Sequence, residues 1–192
     1  MNIVKTISGL KEIYNNYDTF ILDQWGVMHD GEKGYLNAIK CVDKLFVKNK
    51  NLIIISNSSK RKKTTALRLP KIGFNSNHFN EIMTSGEMIW QSLLNENHAQ
   101  TKNIGQNCFH IYDDSKEDGE KYLDGLEKFN FVDNIDKANF ILGCTPFVNK
   151  KVVDYIPLLL SAKKNNLPFI CANPDFDTVE SNSKNLSFCM GT

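Results

Sequence analysis

The chain has no long apolar run, no excess of either charge and no paired-cysteine pattern. Its apolar runs are about strand length, far short of the ~20 residues needed to cross a bilayer, so no membrane partner is expected. Lys and Arg total 23 against 22 Asp and Glu, a net charge of +1. That balance argues against a general polyanion-binding surface, so no nucleic acid partner is expected. The five cysteines, Cys41, Cys108, Cys144, Cys171 and Cys189, are odd in number and widely spaced. They suit neither a disulfide framework nor a zinc site, and read as inert thiols near a core. Cys144 and Cys171 end apolar runs and are the two that could line a cleft. Met1 to Lys11 lacks an apolar signal-peptide stretch, so the expected compartment is the cytoplasm. No GxGxxG or GxxxxGK[ST] fingerprint follows a strand, which lowers the reading as an unrelated doubly wound nucleotide-binding protein.

What is present is an alternation of strand-like and helix-like segments over 192 residues. It predicts an α/β fold with a largely parallel sheet. Strands are expected at Thr19–Asp23, Leu52–Ser56, Phe79–Met83, Cys108–Tyr112, Phe140–Gly143 and Leu167–Ala172. Leu52-Ile-Ile-Ile-Ser56 is a continuous apolar run, as a buried parallel strand requires. Helices are expected from Ser8 to Asn15, Tyr35 to Lys48, about Lys63 to Leu69, after a Ser85 cap, from Glu117 to Leu126, and near Asp154 with Pro157 in the first turn. The tail from Phe176 to Thr192 reads as polar.

Ligands in open parallel sheets sit beyond the carboxyl ends of the strands. Asp23 closes one apolar strand and Ser56-Asn57 closes the next. If the strands are neighbours, a carboxylate and a hydroxyl share one crevice. The carboxylate suits a nucleophile or metal ligand, and the hydroxyl suits a phosphate oxygen. An Asp after a strand is also an ordinary turn former or helix cap, and spacing leaves both readings open. The run Lys60-Arg-Lys-Lys63 reads as a solvated helix start or as an attractor for an anionic substrate. Trp90 and Met88 read as helix packing. His78, His98 and His110 have no ligand-like spacing.

Leu22-Asp23-Gln-Trp-Gly-Val-Met-His-Asp-Gly31 resembles the first motif of the haloacid dehalogenase (HAD) superfamily, a strand followed by Asp-x-Asp-Gly-Val/Thr. Ile53-Ile-Ile-Ser-Asn-Ser58 resembles the second. Leu69-Pro-Lys-Ile-Gly-Phe74, Ile82-Met-Thr-Ser-Gly-Glu87 and Ala172-Asn-Pro-Asp175 are similar to segments of class IIA, the NagD-like group. The resemblance implies a Rossmannoid parallel sheet as a partial core with an inserted α/β cap. It divides the chain into the first part of the core (1–83), the cap (84–175) and a last segment (176–192) that is the end of the cap or the start of the core's second half.

The resemblance also implies roles. Asp23 would be the nucleophile of phosphate-ester hydrolysis through an aspartyl phosphate. Mg²⁺ would bind Asp23 and the backbone carbonyl of Trp25. Ser56, Asn57 and Gly26 would hold the phosphoryl group, and His29, Asp30, Asn173 and Asp175 are candidates to face cap or substrate. The partner would be a small phosphorylated molecule. Trp25 stands where the family has its acid/base Asp, and a subgroup with Asp-x-Trp-Gly-Val-x-His-Asp-Gly is implied. The family's Gly-Lys-Pro and Gly-Asp motifs would fall beyond Thr192, so a truncated chain is expected, with weakened Mg²⁺ binding and with hydrolysis impaired by Trp25 and by the truncation, leaving little or no turnover of p-nitrophenyl phosphate. An unpaired sheet edge would then favour a homo-oligomer. The alternative is a non-catalytic HAD-like binding or regulatory protein.

Overall fold

The computed structural model describes residues 6–95, 97–113, 121–147, 149–179 and 186–192. Three strands, β1 (Thr19–Leu22), β2 (Asn51–Ser56) and β3 (Glu81–Thr84), form a parallel sheet in the order β1-β2-β3. Leu22 pairs with Ile54 and Ser56 with Thr84. The connections run through α1 (Leu36–Val47) and α2 (Lys62–Arg68). Phe20, Leu52, Ile54 and Ile82 pack with Val42, Leu45, Leu69, Ile72 and Phe74 on one face. The other face is open: Ile21 is 64% and Ile55 48% exposed.

Chain direction then carries α3 (Ser85–Leu94) out of β3 and into a second sheet. Its strands are β4 (Asn107–Ile111), β5 (Asn130–Phe131), β6 (Phe140–Gly143) and β7 (Phe169–Cys171), in the order β5-β4-β6-β7 and all parallel. This sheet is packed on both faces. Leu93, Cys108, Tyr122, Leu126, Phe140 and Leu142 form one core, and Phe109, Ile111, Ile141, Tyr155 and Ala162 form the other. The helix α4 (Ile156–Lys164) has Pro157 in its first turn, as predicted. A hairpin, β8 (Asp177–Val179) with β9 (Leu186–Phe188), follows. Among the described residues no helix is long and apolar enough to cross a membrane.

Several sequence expectations change. The segment after Ser8 forms two 3-10 turns, Leu10–Glu12 and Tyr14–Asn16, rather than one helix. Ser8 turns its N–H and hydroxyl to Glu12 Oε1, at 2.8 and 2.6 Å. In α1, Leu36 lies exposed and Phe46 stacks on His78 with ring centroids 4.0 Å apart. Thr84, not Ser85, caps α3: its extended backbone lets Oγ1 accept from Glu87 N at 3.0 Å. Residues 121–126 of the expected Glu117–Leu126 helix form turns, with Gly125 in the left-handed region at φ +88°. Residues 117–120 lie outside the described ones. The last strand of the second sheet starts only at Phe169, because Leu167 N–H still donates to Ala162 and Pro168 has no N–H to donate. The two-residue β5 and the hairpin in the tail were not expected.

Candidate active site

Asp23 follows Leu22, and the β1–β2 register sets it beside the end of β2, where Ser56 and Asn57 emerge. The carboxylate is exposed. Its Oδ1 accepts from Gln24 N at 2.8 Å, and among the described residues Oδ2 has no hydrogen-bond donor. The chain then turns tightly. Gln24 O accepts from the N–H groups of Val27, Met28 and His29, and Gly26 N–H donates to His29 O at 2.8 Å. That turn needs φ +77° at Gly26, which a glycine adopts without strain. Gly26 N–H is thus used inside the turn.

Trp25 is 40% exposed and meets the His29 ring edge-on, with centroids 5.6 Å apart. His29 itself is buried, at 3% exposure, rather than facing outward. Its Nδ1 accepts from Gly31 N at 3.0 Å, which places the proton of the neutral ring on Nε2. Burial, then the charge of Arg68, lowers its pKa against the pull of Asp30 and Asp23. Arg68 donates to the Gly31 carbonyl. Asp30 Oδ1 closes the loop by accepting from the N–H groups of Glu32 and Lys33, at 2.9 and 2.8 Å, and these bonds lower its pKa. His29 and Asp30 therefore shape the loop from within.

The loop after β2 brings its polar atoms into order. Ser56 Oγ accepts from Ser58 N at 3.2 Å, so its hydroxyl proton points elsewhere. Asn57 Nδ2 donates to Asp175 Oδ1 at 2.9 Å. Asp175 N–H donates to Asn173 Oδ1 at 3.1 Å. Three of the sequence candidates, Asn57, Asn173 and Asp175, are thus joined. Nearby, Ser85 Oγ donates to Ala172 O at 2.5 Å, which ties the start of α3 to the segment after β7.

Sequence reasoning missed Arg61 and Glu87. Arg61 lies in the run read as solvated, yet it is buried and its Nε donates to Glu87 Oε2 at 2.7 Å. The guanidinium also lies 3.5 Å from the Trp90 ring centroid. The spacing Thr84-x-x-Glu87, a capping-box pattern, was the signal available. Met88 is exposed rather than packed. Cys144 is fully buried, and burial pushes its thiol well above the usual range, so it lines no open cleft. His110 is held by stacking on Tyr112 and Tyr122, with no hydrogen-bond partner for Nε2 among the described residues.

Among the described residues no cluster of three His, Cys, Asp or Glu side chains could hold a metal. Asp23 and the Trp25 carbonyl supply two oxygen donors in one exposed turn. That fits the protein's share of a Mg²⁺ shell, whose remaining places go to phosphate oxygens and waters.

In an open parallel α/β sheet ligands sit beyond the carboxyl ends of the strands, where Asp23 and the Ser56–Asn57 loop lie side by side. The sequence model described as haloacid dehalogenase-like hydrolase matches residues 20–143. The chain belongs to this family, as a HAD-like hydrolase of class IIA. It is similar to a haloacid dehalogenase-like hydrolase from Brucella suis 1330, with 26% identity and a TM-score of 0.80 over 95% of this chain and 62% of that one. A possible sugar phosphatase of the HAD superfamily from Cytophaga hutchinsonii shares 18% identity and a TM-score of 0.71, covering 97% and 64%. A 4-nitrophenylphosphatase from Thermotoga maritima shares 15% and a TM-score of 0.61, covering 93% and 62%. The last two show the fold alone. The chain spans somewhat under two thirds of the length of these proteins. Among curated proteins nothing matches. Membership in the family implies Mg²⁺ in general.

Proposed function

We propose that this protein hydrolyses a small phosphate ester, with Asp23 as nucleophile and residues 84–175 as the cap over the site. The supporting observation is the register that sets Asp23 beside the Ser56–Asn57 loop at the carboxyl end of one parallel sheet. Asp23 Oδ2 attacks phosphorus, the bond to the ester oxygen breaks, and the leaving alkoxide takes a proton from solvent water as it departs. Water then attacks the aspartyl phosphate, freeing inorganic phosphate and the carboxylate. The Ser56 hydroxyl donates to a phosphoryl oxygen, and Asn57 Nδ2 does so once it parts from Asp175. Asp23 and the Trp25 carbonyl would hold Mg²⁺, which when bound offsets repulsion between carboxylate and phosphate.

Trp25 has no proton to exchange in either step. Loss of a positioned acid/base lowers rates ~10²–10⁴-fold, so turnover is slow and restricted to good leaving groups. The test compares the protein with Asp23→Asn on p-nitrophenyl phosphate and on an alkyl phosphate, each with Mg²⁺. Slow nitrophenyl turnover, lost in Asp23→Asn, is expected. Trp25→Asp should raise alkyl phosphate turnover about 10²-fold and nitrophenyl turnover less. Turnover that survives Asp23→Asn would sink the reading.

The second reading, a phosphate-binding protein without turnover, draws on Trp25 and on the bond between Asn57 and Asp175. It predicts inorganic phosphate binding with no hydrolysis of either ester.

A further inference from the structure

The loop from Ser56 to Arg61 is fastened to α3 along one side. Ser58 O accepts from Gly86 N at 3.0 Å, and Lys60 O accepts from Thr84 Oγ1 at 2.5 Å. Contact is so close that a Cβ on Gly86 would lie 2.0 Å from Ser59 O. At the far end Glu87 holds the loop. Its Oε2 accepts from Arg61 Nε at 2.7 Å and from Lys62 N at 3.2 Å, and its Oε1 accepts from Gln91 Nε2 at 3.1 Å. Arg61 is in turn clamped: its guanidinium lies on Trp90, and Nη1 reaches Asp124 O at 3.4 Å. Trp90 Nε1 donates to that same carbonyl at 2.9 Å.

A buried ion pair is a poor device for stability. Its desolvation cost commonly equals or exceeds the attraction it gains, and apolar side chains of similar volume serve as well. What this pair adds is direction. A carboxylate with three donors and a planar guanidinium on an indole admit one arrangement. Burial pushes the Glu87 carboxyl up, but the bonds from Arg61 and Lys62 N and the Arg61 charge outweigh it, and the group is held below its usual range. With the inner side of the loop fixed, Ser56 Oγ and the exposed Asn57 are left on the outer side, beside Asp23.

We propose that Glu87, acting through Arg61, is a positioning residue that holds the Ser56–Lys60 loop in the shape that receives a phosphoryl group. The proposal rests on the phosphate-ester reading above for the identity of the ligand, and on the contacts alone for the role of the pair. Neither residue touches the phosphoryl group. They act from behind the loop, across the junction between β3 and the second sheet.

The test uses the full chain, with backbone amide exchange by NMR and titration with inorganic phosphate in the presence of Mg²⁺. Three variants are compared. Glu87→Gln keeps shape but loses charge. Ser56→Ala removes the outer hydroxyl. Ile111→Val weakens the distant core without touching the loop. Glu87→Gln should speed exchange of the Ser58 and Lys60 amides and weaken phosphate binding, each about tenfold. Ile111→Val should change neither. Unchanged exchange in Glu87→Gln overturns the proposal. So does unchanged phosphate affinity where Ser56→Ala lowers it, or an equal loss in Ile111→Val. If neither the unmodified chain nor any variant binds phosphate, the phosphate-ester reading fails instead. The loop exchange rates then decide the clasp, acceleration supporting it and no change refuting it.

Discussion

The two sheets are built from the same kind of strand and end up in opposite circumstances. In the second, all four residues of β6 are buried, because apolar side chains cover both faces. In the first, only one face is covered, and Ile21 and Ile55 stand in solvent on the other. Parallel sheets are ordinarily covered on both sides. The second sheet therefore behaves as a closed body, and the first as a surface whose carboxyl edge carries the candidate chemistry. Both gather their loops at the carboxyl ends of their strands, and both set a carboxylate and a hydroxyl there on neighbouring strands, but in the second sheet Asp113 is buried and its N–H donates to Thr145 Oγ1 at 2.9 Å, whereas Asp23 in the first is exposed.

The comparison makes Leu142→Ala the most damaging of the core changes considered. Leu142 is fully buried in β6, and truncation should cost about 2–5 kcal/mol through lost burial and a residual cavity. Urea unfolding would read this as a lower midpoint with an unchanged slope. A cost under ~1 kcal/mol would show that the second sheet is less closed than its packing indicates.

The next effect is a pH dependence that belongs to the second sheet. Burial lowers the His110 pKa from 6.5 to about 4. The folded state keeps this ring neutral, while the unfolded chain takes up a proton below pH ~6.5. The His110 contribution to stability should therefore fall as pH drops from about 6.5 to about 4, by up to about 3 kcal/mol. His110→Phe should flatten that part of the profile. A slope equal to that of the unmodified protein would place the titrating group elsewhere.

The smallest effect belongs to the open face. Ile21→Thr and Ile55→Thr should each shift stability by no more than ~0.5 kcal/mol, because these side chains are already in water. A loss of several kcal/mol, or a change in sedimentation with substitution, would mean that the face is covered in solution.

Much of this was legible beforehand because it depends on neighbours in the chain. Apolar runs of four to six residues at strand spacing marked β1, β2, β4 and β6, and Asp23 and Ser56 were placed at strand ends by counting. Pro157 was placed in a first helical turn by the missing N–H. Errors fell where local signals were weak or overridden. A serine just after the strand predicts a Ser85 cap, but the residue with the extended backbone is Thr84. The pattern predicts a helix over Glu117–Leu126, and Tyr122 and Leu126 are buried without one because the core, not a helical period, holds them.

What the sequence determined alone is the order of elements, the parallel habit of the sheets and the set of polar residues at the strand ends. Each follows from hydrophobic period and turn chemistry within a few residues. Only the tertiary structure decided which of those polar groups meet. Asn57 finds Asp175 across 118 residues of chain, and Arg61, in a run that reads as solvated, is buried against Glu87 and Trp90. A charged side chain leaves water only where a partner already waits to replace it. That partner is supplied by packing between distant segments, so no local pattern could have announced it.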